Sequence, residues 1–303
     1  MEPRTIPDTL WSDEQVIMPP VLAVALRSKL EMLGRFNEAC GVNPSDRELF
    51  GGADEEDAVK HFVHRFKTSS ARTQYITMSP CGGFEQTSTD LVAFLLDGDV
   101  SALDIPCGSG GGLLGYICTI AELRNRGKLP RTPVNLKLFA GDISAEGRSL
   151  HADMLHRALP HLEEAGIRVD VKYHHWDVMD PFSTAKLVDT WLAECPNADD
   201  HLVFVSAFSG FADKHTDITL RAVDLIVSRF HSKPFILTWI EPTMKPSKRV
   251  LERLAKWLTD WFAGALSLRS SKIERNFFYK HPFTAERIPG RVQVRSYKRD
   301  TSS

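Results

Sequence analysis

Hydrophobic and polar positions follow two alternating patterns in the part of the chain after residue 100. Short runs rich in β-branched and aromatic residues recur, and longer segments with apolar residues every three or four positions separate them. The first pattern is typical of buried strands and the second of amphipathic helices. Strands are predicted at residues 102–105, 136–140, 169–173, 202–206 and 235–240. Because helices separate them, these strands are expected to form a parallel sheet with helices on both faces.

The C-terminal segment has a different pattern. Residues 273–279 and 291–297 are strand-like runs with no helix between them, joined through Pro282 and a turn at Pro289 and Gly290. Two such runs predict an antiparallel hairpin on the edge of the sheet.

The N-terminal region contains helical patterns at residues 20–39 and 55–66, with an acidic loop between them. We therefore expect a doubly wound α/β fold. It would have a mostly parallel seven-stranded sheet, a C-terminal antiparallel hairpin and an N-terminal helical cap. The cap would occupy residues 1–99 and take part in selecting the substrate.

Composition limits the class of protein. A chain of 303 residues with 43% hydrophobic content can bury a large core. Its net charge of −2 gives no general reason to expect a nucleic acid or an anionic membrane as partner, although residues 269–299 are mostly basic. The five scattered cysteines, the polar N-terminus and the lack of an apolar run of ~18 residues predict a cytoplasmic protein without a membrane span.

A glycine-rich loop follows the first predicted strand. From Asp104 to Gly112 the sequence reads Asp-Ile-Pro-Cys-Gly-Ser-Gly-Gly-Gly, and a helical pattern begins there. Glycine allows positive φ and close approach of the backbone to a ligand. The unpaired N–H groups of the following helix favour polar or anionic ligand groups. The loop is typical of sites that bind nucleotide-like cofactors.

Acidic residues follow the next two predicted strands. Asp142 comes after the second strand and Asp177 after the third. In an open α/β sheet the ligand lies beyond the carboxyl ends of the strands. A carboxylate there can accept both hydroxyls of a ribose, and an acid after the third strand can accept the amine of an adenine, with Trp176 or Val178 against the ring. These residues favour a nucleoside ligand.

The spacing of the glycines leaves a second cofactor open. Gly110, Gly112 and Gly115 fit the Gly-x-Gly-x-x-Gly pattern of dinucleotide sites, although the match starts late relative to the strand. A phosphate loop of the Gly-Lys-Ser/Thr type is not present in this stretch. A nicotinamide-dependent oxidoreductase is therefore an alternative.

The residues from Asp104 to Gly110 resemble the first motif of the class I S-adenosylmethionine-dependent methyltransferases, acid-x-Gly-x-Gly-x-Gly, with Pro106 in place of the first glycine. Asp142 resembles the family's ribose-binding acid, and the segment Trp-Asp-Val at 176–178 resembles its adenine-binding segment. The resemblance covers about residues 100–303 and implies a Rossmann-like domain that binds S-adenosylmethionine. The implied cofactor-binding residues are Asp104, Pro106, Gly108, Ser109, Gly110, Asp142, Ile143, Trp176, Asp177, Val178 and Ser206.

The sequence says less about the methyl acceptor than about the cofactor. The sequence after the fourth strand, Val-Ser-Ala-Phe-Ser-Gly-Phe, differs from the Asn/Asp-Pro-Pro-Tyr/Phe motif associated with amino-group methylation of bases. We expect a small-molecule acceptor; the alternatives are RNA bound through the basic hairpin, or a non-catalytic binding or assembly protein. Should the acceptor lose a proton, His215 and Asp213 are the candidate catalytic bases. Glu241 is expected to face the acceptor and residues 69–75 to close over the cofactor.

Other reactive side chains point to no additional chemistry. His174 and His175 lie near Asp177, and His61 and His64 share a helical face, but neither pair has the further ligands that a closed metal site needs. We therefore predict no metal. Cys107 is interpreted as a packing residue of the loop.

Overall fold

The computed structural model describes residues 6–41, 54–208, 214–230, 233–243, 249, 251–253, 256 and 268–299. Within these residues the strands are β1 (Trp11–Ser12), β2 (Gln15–Val16), β3 (Gly98–Asp104), β4 (Val134–Asp142), β5 (Ile167–His175), β6 (Asp200–Ser206), β7 (Phe235–Glu241), β8 (Leu268–Lys280) and β9 (Arg287–Arg299). The helices are α1 (Pro20–Met32), α2 (Phe36–Cys40), α3 (Glu55–Met78), α4 (Glu85–Phe94), α5 (Gly111–Asn125), α6 (Ala145–Glu164), α7 (Pro181–Glu194) and α8 (Thr216–Ser228).

One sheet runs through the molecule in the order β1-β2-β8-β9-β7-β6-β3-β4-β5. Strands β3 to β7 are parallel, and β9 is antiparallel to both of its neighbours. The chain extends the sheet from β3 towards β5 and then returns to the other side of β3 with β6. The order of the strands therefore reverses between β3 and β6, and α/β sheets bind ligands at the carboxyl ends of the strands at such a reversal.

The predicted α/β fold, with its parallel sheet and antiparallel hairpin, is confirmed, but the described sheet has nine strands rather than seven. Strands β1 and β2 extend the edge of β8, with Gln15 opposite Phe278 and Val16 opposite Tyr279. Each of these strands has only two residues, which is too short for hydrophobic alternation to indicate a strand.

The turn of the hairpin differs from the prediction. The strands β8 and β9 connect at residues 281–286, which include Pro282, and the N–H of His281 donates to the carbonyl of Glu286 at 2.8 Å. The predicted turn residues Pro289 and Gly290 lie inside β9. A Cβ on Gly290 would lie 2.7 Å from Cε1 of the Phe277 ring, so this glycine makes room for a cross-strand aromatic side chain.

The N-terminal helices also differ in extent. The pattern predicted at 20–39 forms two helices, because Gly34 takes φ +67° and the N–H of Arg35 donates to the carbonyl of Leu30 at 2.8 Å. This is a glycine-terminated helix end. The prediction that residues 69–75 close over the cofactor is wrong. They lie in the interior of α3, where Ser70 packs against α5: a Cβ on Gly115 would lie 2.7 Å from its Oγ.

Two apolar cores cover the two faces of the sheet. Successive strand side chains point to opposite faces, so Ala102 belongs to the core with α1, α3, α5 and α6, whereas Leu103 belongs to the core with α7 and α8. The first core also contains Leu10 and, from the hairpin, Val294. The N-terminal helices, the hairpin and the sheet therefore share one apolar interior.

Candidate functional site

The glycine loop lies between the end of β3 and the first turn of α5. Gly108 has φ +47° and Gly110 has φ +82°, both in the left-handed region that favours glycine. The loop is held by two main-chain hydrogen bonds, from the N–H of Cys107 to Gly141 and from the N–H of Gly110 to Cys107. No side chain among the described residues caps α5. The amides of its first turn therefore form a ready site for a polar ligand group.

Asp142 joins the end of β4 to this loop. Its Oδ2 accepts from the N–H of Gly108 and its Oδ1 from the N–H of Ser144, both at 2.8 Å. Burial raises the pKa of Asp142, while these two hydrogen bonds act in the opposite direction. Each carboxylate oxygen retains a further lone pair. The structure thus brings two predicted binding residues, Gly108 and Asp142, into direct contact and orients the carboxylate.

Asp104 lies at the end of β3 and is almost fully buried. Neither of its carboxyl oxygens has a hydrogen-bond partner among the described residues. Burial, and then the charge of Asp142, raise the pKa of Asp104 well above its usual value. A buried carboxyl without partners is held neutral or requires a donor from outside the chain.

The predicted adenine-binding segment follows β5 and lies next to Asp142. The N–H of Trp176 donates to the main-chain carbonyl of Asp142 at 3.1 Å. The side chain of Asp177 forms a tight turn in which its Oδ1 accepts from the N–H of Met179 at 2.8 Å. Ile143 is 48% exposed beside these residues in the chain, leaving an apolar surface at the same edge of the sheet.

The remaining residues predicted for the cofactor lie in or against the loop. Pro106 and Ser109 belong to it, and Ser206 ends β6 directly beneath α5: a Cβ on Gly112 would lie 2.8 Å from the Cβ of Ser206. Gly112 and Gly115 lie inside α5 and allow close packing on β6 and α3. Helix packing therefore accounts for the glycine spacing that also fits a dinucleotide site.

The candidate catalytic residues are incompletely described. His215 occupies the N-cap position of α8, where its carbonyl accepts from the N–H of Thr219 at 3.0 Å. Asp213 lies outside the described residues. Their catalytic role stays a prediction.

Two side chains that the sequence analysis did not single out contribute to the loop. His151 of α6 packs against Gly110, whose Cβ would lie 2.6 Å from Nε2 and 2.9 Å from Cγ of the ring. Burial lowers the pKa of His151 to about 3, so the ring is neutral. Tyr173 of β5 meets it edge-on, with ring centroids 5.4 Å apart. No sequence motif marks His151, because only the packing of α6 on the loop places it there.

Cys107 is a buried thiol, as predicted for a packing residue. Burial raises its pKa well above the usual value, which disfavours the reactive thiolate.

A small apolar cavity of about 20 Å³ lies between the sheet and α8, next to the loop. Glu241, predicted to face the acceptor, braces its wall: its Oε1 accepts from the indole N–H of Trp239 at 2.6 Å and from the N–H of Phe208 at 2.8 Å. The side chains that line the cavity are Ile105, Trp176, Val178, Val203, Val205, Phe208, Thr219, Ala222, Val223, Ile226, Val227, Leu237 and Trp239.

In the described part of the chain, no three His, Cys, Asp or Glu side chains are grouped to hold a metal ion. His64, considered in the sequence analysis, instead lies 2.9 Å from Oε1 of Glu38. None of the helices described is long and apolar enough to cross a membrane.

No protein-family model matches the chain, and no curated protein matches it. Similar solved structures include a precorrin-8w decarboxylase from Methanobacterium thermoautotrophicum, 14% identical over 70% of this chain and 88% of that chain, with a TM-score of 0.35. A precorrin-6Y C5,15-methyltransferase from Geobacter metallireducens is 12% identical over 71% and 88%, with a TM-score of 0.36. A protein described for the conversion of a disulfide bond into a thioacetal group during echinomycin biosynthesis is 18% identical over 78% and 94%, with a TM-score of 0.34.

Likenesses at these TM-scores carry no argument about this chain. Its own strand order is more informative: strands β3 to β7 are parallel, the order in which they join the sheet reverses at β3, and an antiparallel hairpin with β9 against β7 follows. This arrangement of strands is the one expected from the sequence resemblance to the class I S-adenosylmethionine-dependent methyltransferases. The glycine loop, Asp142 and the segment after β5 meet at the carboxyl edge of the sheet, as their contacts show.

Proposed function

We propose that the protein is an S-adenosylmethionine-dependent methyltransferase with a small-molecule acceptor. The observation that carries this proposal is the carboxylate of Asp142, held by main-chain N–H groups of Gly108 and Ser144 beside the glycine loop. Its remaining lone pairs suit the two hydroxyl donors of a ribose. Because the fold alone hosts many functions, the proposal depends on this site rather than on the architecture.

The polar groups around the loop fit the rest of the cofactor. S-adenosylmethionine carries an ammonium group, and the buried carboxyl of Asp104 has hydrogen bonds to make. It also carries a carboxylate, which suits the amides of the first turn of α5. The turn at Asp177 and the exposed Ile143 supply a polar and an apolar surface for the adenine. We therefore assign these residues to cofactor binding.

The reaction requires little covalent chemistry from the protein. When bound, S-adenosylmethionine supplies an electrophilic methyl group: a lone pair of the acceptor bonds to the methyl carbon, and the electrons of the breaking C–S bond stay on sulfur. The loop, Asp104 and Asp142 would hold the cofactor and orient it, so that most of the rate enhancement comes from positioning. An acceptor O–H or N–H also releases a proton, and His215 and Asp213 remain our candidates for accepting it.

Calorimetric titration tests the cofactor site. We expect the protein to bind S-adenosylmethionine and S-adenosylhomocysteine, and Asp142→Ala to lose that binding. Asp170→Ala is the matched control, because Asp170 is an exposed acid on the neighbouring strand β5.

The other outcomes separate the alternatives. Failure of the unaltered protein to bind either compound would contradict the proposal, and binding of NADH instead would support the oxidoreductase. Binding without methyl transfer to any acceptor pool, RNA included, would support a non-catalytic role.

A further inference from the structure

An arginine in the first turn of α6 extends the proposed function and rests on it. We propose that Arg148 acts on the cofactor site through Asp142, as a positioning residue that keeps its carboxylate ionised and oriented for the ribose hydroxyls. No sequence motif marks this residue, because it lies beyond the end of β4, on the following helix.

The guanidinium of Arg148 contacts the main chain of Asp142. Its Nη1 donates to the carbonyl of Asp142, which also accepts from the N–H of Trp176 at 3.1 Å. Three segments therefore meet at this carbonyl: the end of β4, the segment after β5 and the first turn of α6. Their junction fixes the backbone from which the Asp142 side chain extends.

The first turn of α6 is itself held against the glycine loop. Oγ of Ser144 caps the helix by accepting from the N–H of Gly147 at 3.0 Å, and the N–H of Ser144 donates to Oδ1 of Asp142. A Cβ on Gly147 would lie 3.5 Å from the main-chain carbon of Gly108, so this turn packs on the loop. Arg148 is the next residue, and its side chain starts from main chain that is already ordered.

The positive charge of Arg148 has no acidic partner. In the part of the chain that the structure describes, its guanidinium forms no ion pair, and its side chain bonds to the carbonyl of Asp142. Arg148 is also partly buried, so solvent screens its charge less than that of an exposed arginine. The carboxylate next to the carbonyl that it binds is that of Asp142.

The charge on Asp142 depends on opposing effects. Burial raises the pKa of Asp142, whereas the N–H groups of Ser144 and Gly108 and the charge of Arg148 lower it. Arg148 is protonated throughout the physiological range, so it always favours the carboxylate. The ionisable side chains on the surrounding elements include Asp104 on β3, Cys107 in the loop, His175 opposite Asp142 on β5, and Asp177 after β5.

The ribose requires the ionised form of Asp142. Both carboxylate oxygens already accept from main-chain N–H groups. An ionised carboxylate keeps lone pairs for two further donors, whereas a protonated carboxyl loses an acceptor and presents a donor. Removing Arg148 should therefore weaken cofactor binding through proton uptake by Asp142, and this effect depends on pH.

NMR titration of the ligand-free protein tests the electrostatic role. With ¹³C in the aspartate carboxyl groups, the signal of Asp142 is assigned by its absence in Asp142→Asn. Arg148→Met should raise the pKa of Asp142 by about 1, and Arg148→Lys should restore most of the difference. Arg157→Met is the matched control and should leave this pKa unchanged, because Arg157, also partly buried on α6, donates to Oγ of Ser28 at 3.0 Å.

Calorimetric titration with S-adenosylhomocysteine at about pH 4 to 8 tests the effect on the site. The affinity of the unaltered protein should fall as the pH decreases through the pKa of Asp142. In Arg148→Met this fall should begin about one pH unit higher, which adds up to about tenfold weaker binding at low pH. A purely structural contact would weaken binding by the same factor at every pH.

Several results would overturn the proposal. They are an unchanged pKa of Asp142 in Arg148→Met, an equal effect of Arg157→Met, no recovery in Arg148→Lys, and a loss of affinity that is independent of pH. If Arg148→Met does not fold, Arg148→Gln removes the charge, keeps a donor for the carbonyl, and should also raise the pKa of Asp142. Failure of the proposed function is distinguishable, because the unaltered protein would then not bind S-adenosylhomocysteine, whereas the NMR titration needs no ligand.

Discussion

Substituting Gly110 by alanine tests how the glycine loop is held against α6. Gly110 has φ +82°, a conformation that costs an L-residue about 1–2 kcal/mol. The new Cβ would also lie 2.6 Å from Nε2 and 2.9 Å from Cγ of the buried His151 ring, closer than real Cβ atoms come to other heavy atoms. Overpacking of this kind costs about 1–3 kcal/mol. We therefore expect Gly110→Ala to lower the free energy of unfolding by about 2–5 kcal/mol.

Gly127→Ala is the matched control for the backbone term. Gly127 has φ +67°, and a Cβ there would meet no atom within 4 Å. Its cost should be the conformational term alone, about 1–2 kcal/mol. Urea unfolding followed by circular dichroism measures both variants, and the difference between them reports the contact with His151.

A double-mutant cycle with His151→Ala completes the test. Without the imidazole ring, Gly110→Ala should cost about as much as Gly127→Ala, so the two substitutions should be coupled by about 1–3 kcal/mol. Equal costs for Gly110→Ala and Gly127→Ala in the unaltered background, or an unchanged cost of Gly110→Ala after removal of His151, would refute the packing of α6 on the loop.

Three further substitutions test other parts of the structure. Asp142→Asn places an amide N–H₂ against a main-chain N–H, so calorimetry should show S-adenosylhomocysteine binding weakened by about tenfold or more. The guanidinium of Arg124 donates to four main-chain carbonyls. Arg124→Ala should therefore lower the free energy of unfolding, measured in urea, by about 3 kcal/mol or more. Arg126 is exposed, so the control Arg126→Ala should change this free energy little. Burial lowers the pKa of Lys67 from 10.5 to about 8, so the folded chain binds fewer protons than the unfolded chain between these pH values, and stability rises with pH. In Lys67→Met, urea unfolding from pH 8 to 10.5 should show this rise reduced by about 3 kcal/mol; an unchanged rise would contradict the assignment.

Local sequence signals predicted the parts of this protein that depend on neighbouring residues. The five parallel strands and both hairpin strands follow from runs of apolar and β-branched residues, whose period is a local property. The loop containing Gly108 and Gly110 could be predicted for the same reason, since positive φ angles at these positions favour glycine whatever the surroundings. Asp142 could be predicted as a site residue because it ends a predicted strand next to that loop.

Contacts between segments far apart in the chain could not be predicted from local sequence signals. No local sequence signal shows that residues 69–75 pack on α5. The two-residue strands β1 and β2 form because the edge of β8 is available for pairing. Gly290 looks like a turn residue, yet the ring of Phe277 on the opposite strand explains it. In each case the partner is far away in the chain, and hydrophobic periodicity carries no information about it.

The sequence by itself determined the strands, the glycine loop and the acid that the loop holds, because periodicity, φ preference and strand ends are written in adjacent residues. Only the tertiary structure decided that His151 packs against Gly110, that Asp104 is buried without a hydrogen-bond partner among the described residues, and that Phe208 and Trp239 line a small apolar cavity. These features arise where separate strands and helices pack together, and burial and polarity at such places depend on all of the packed elements at once.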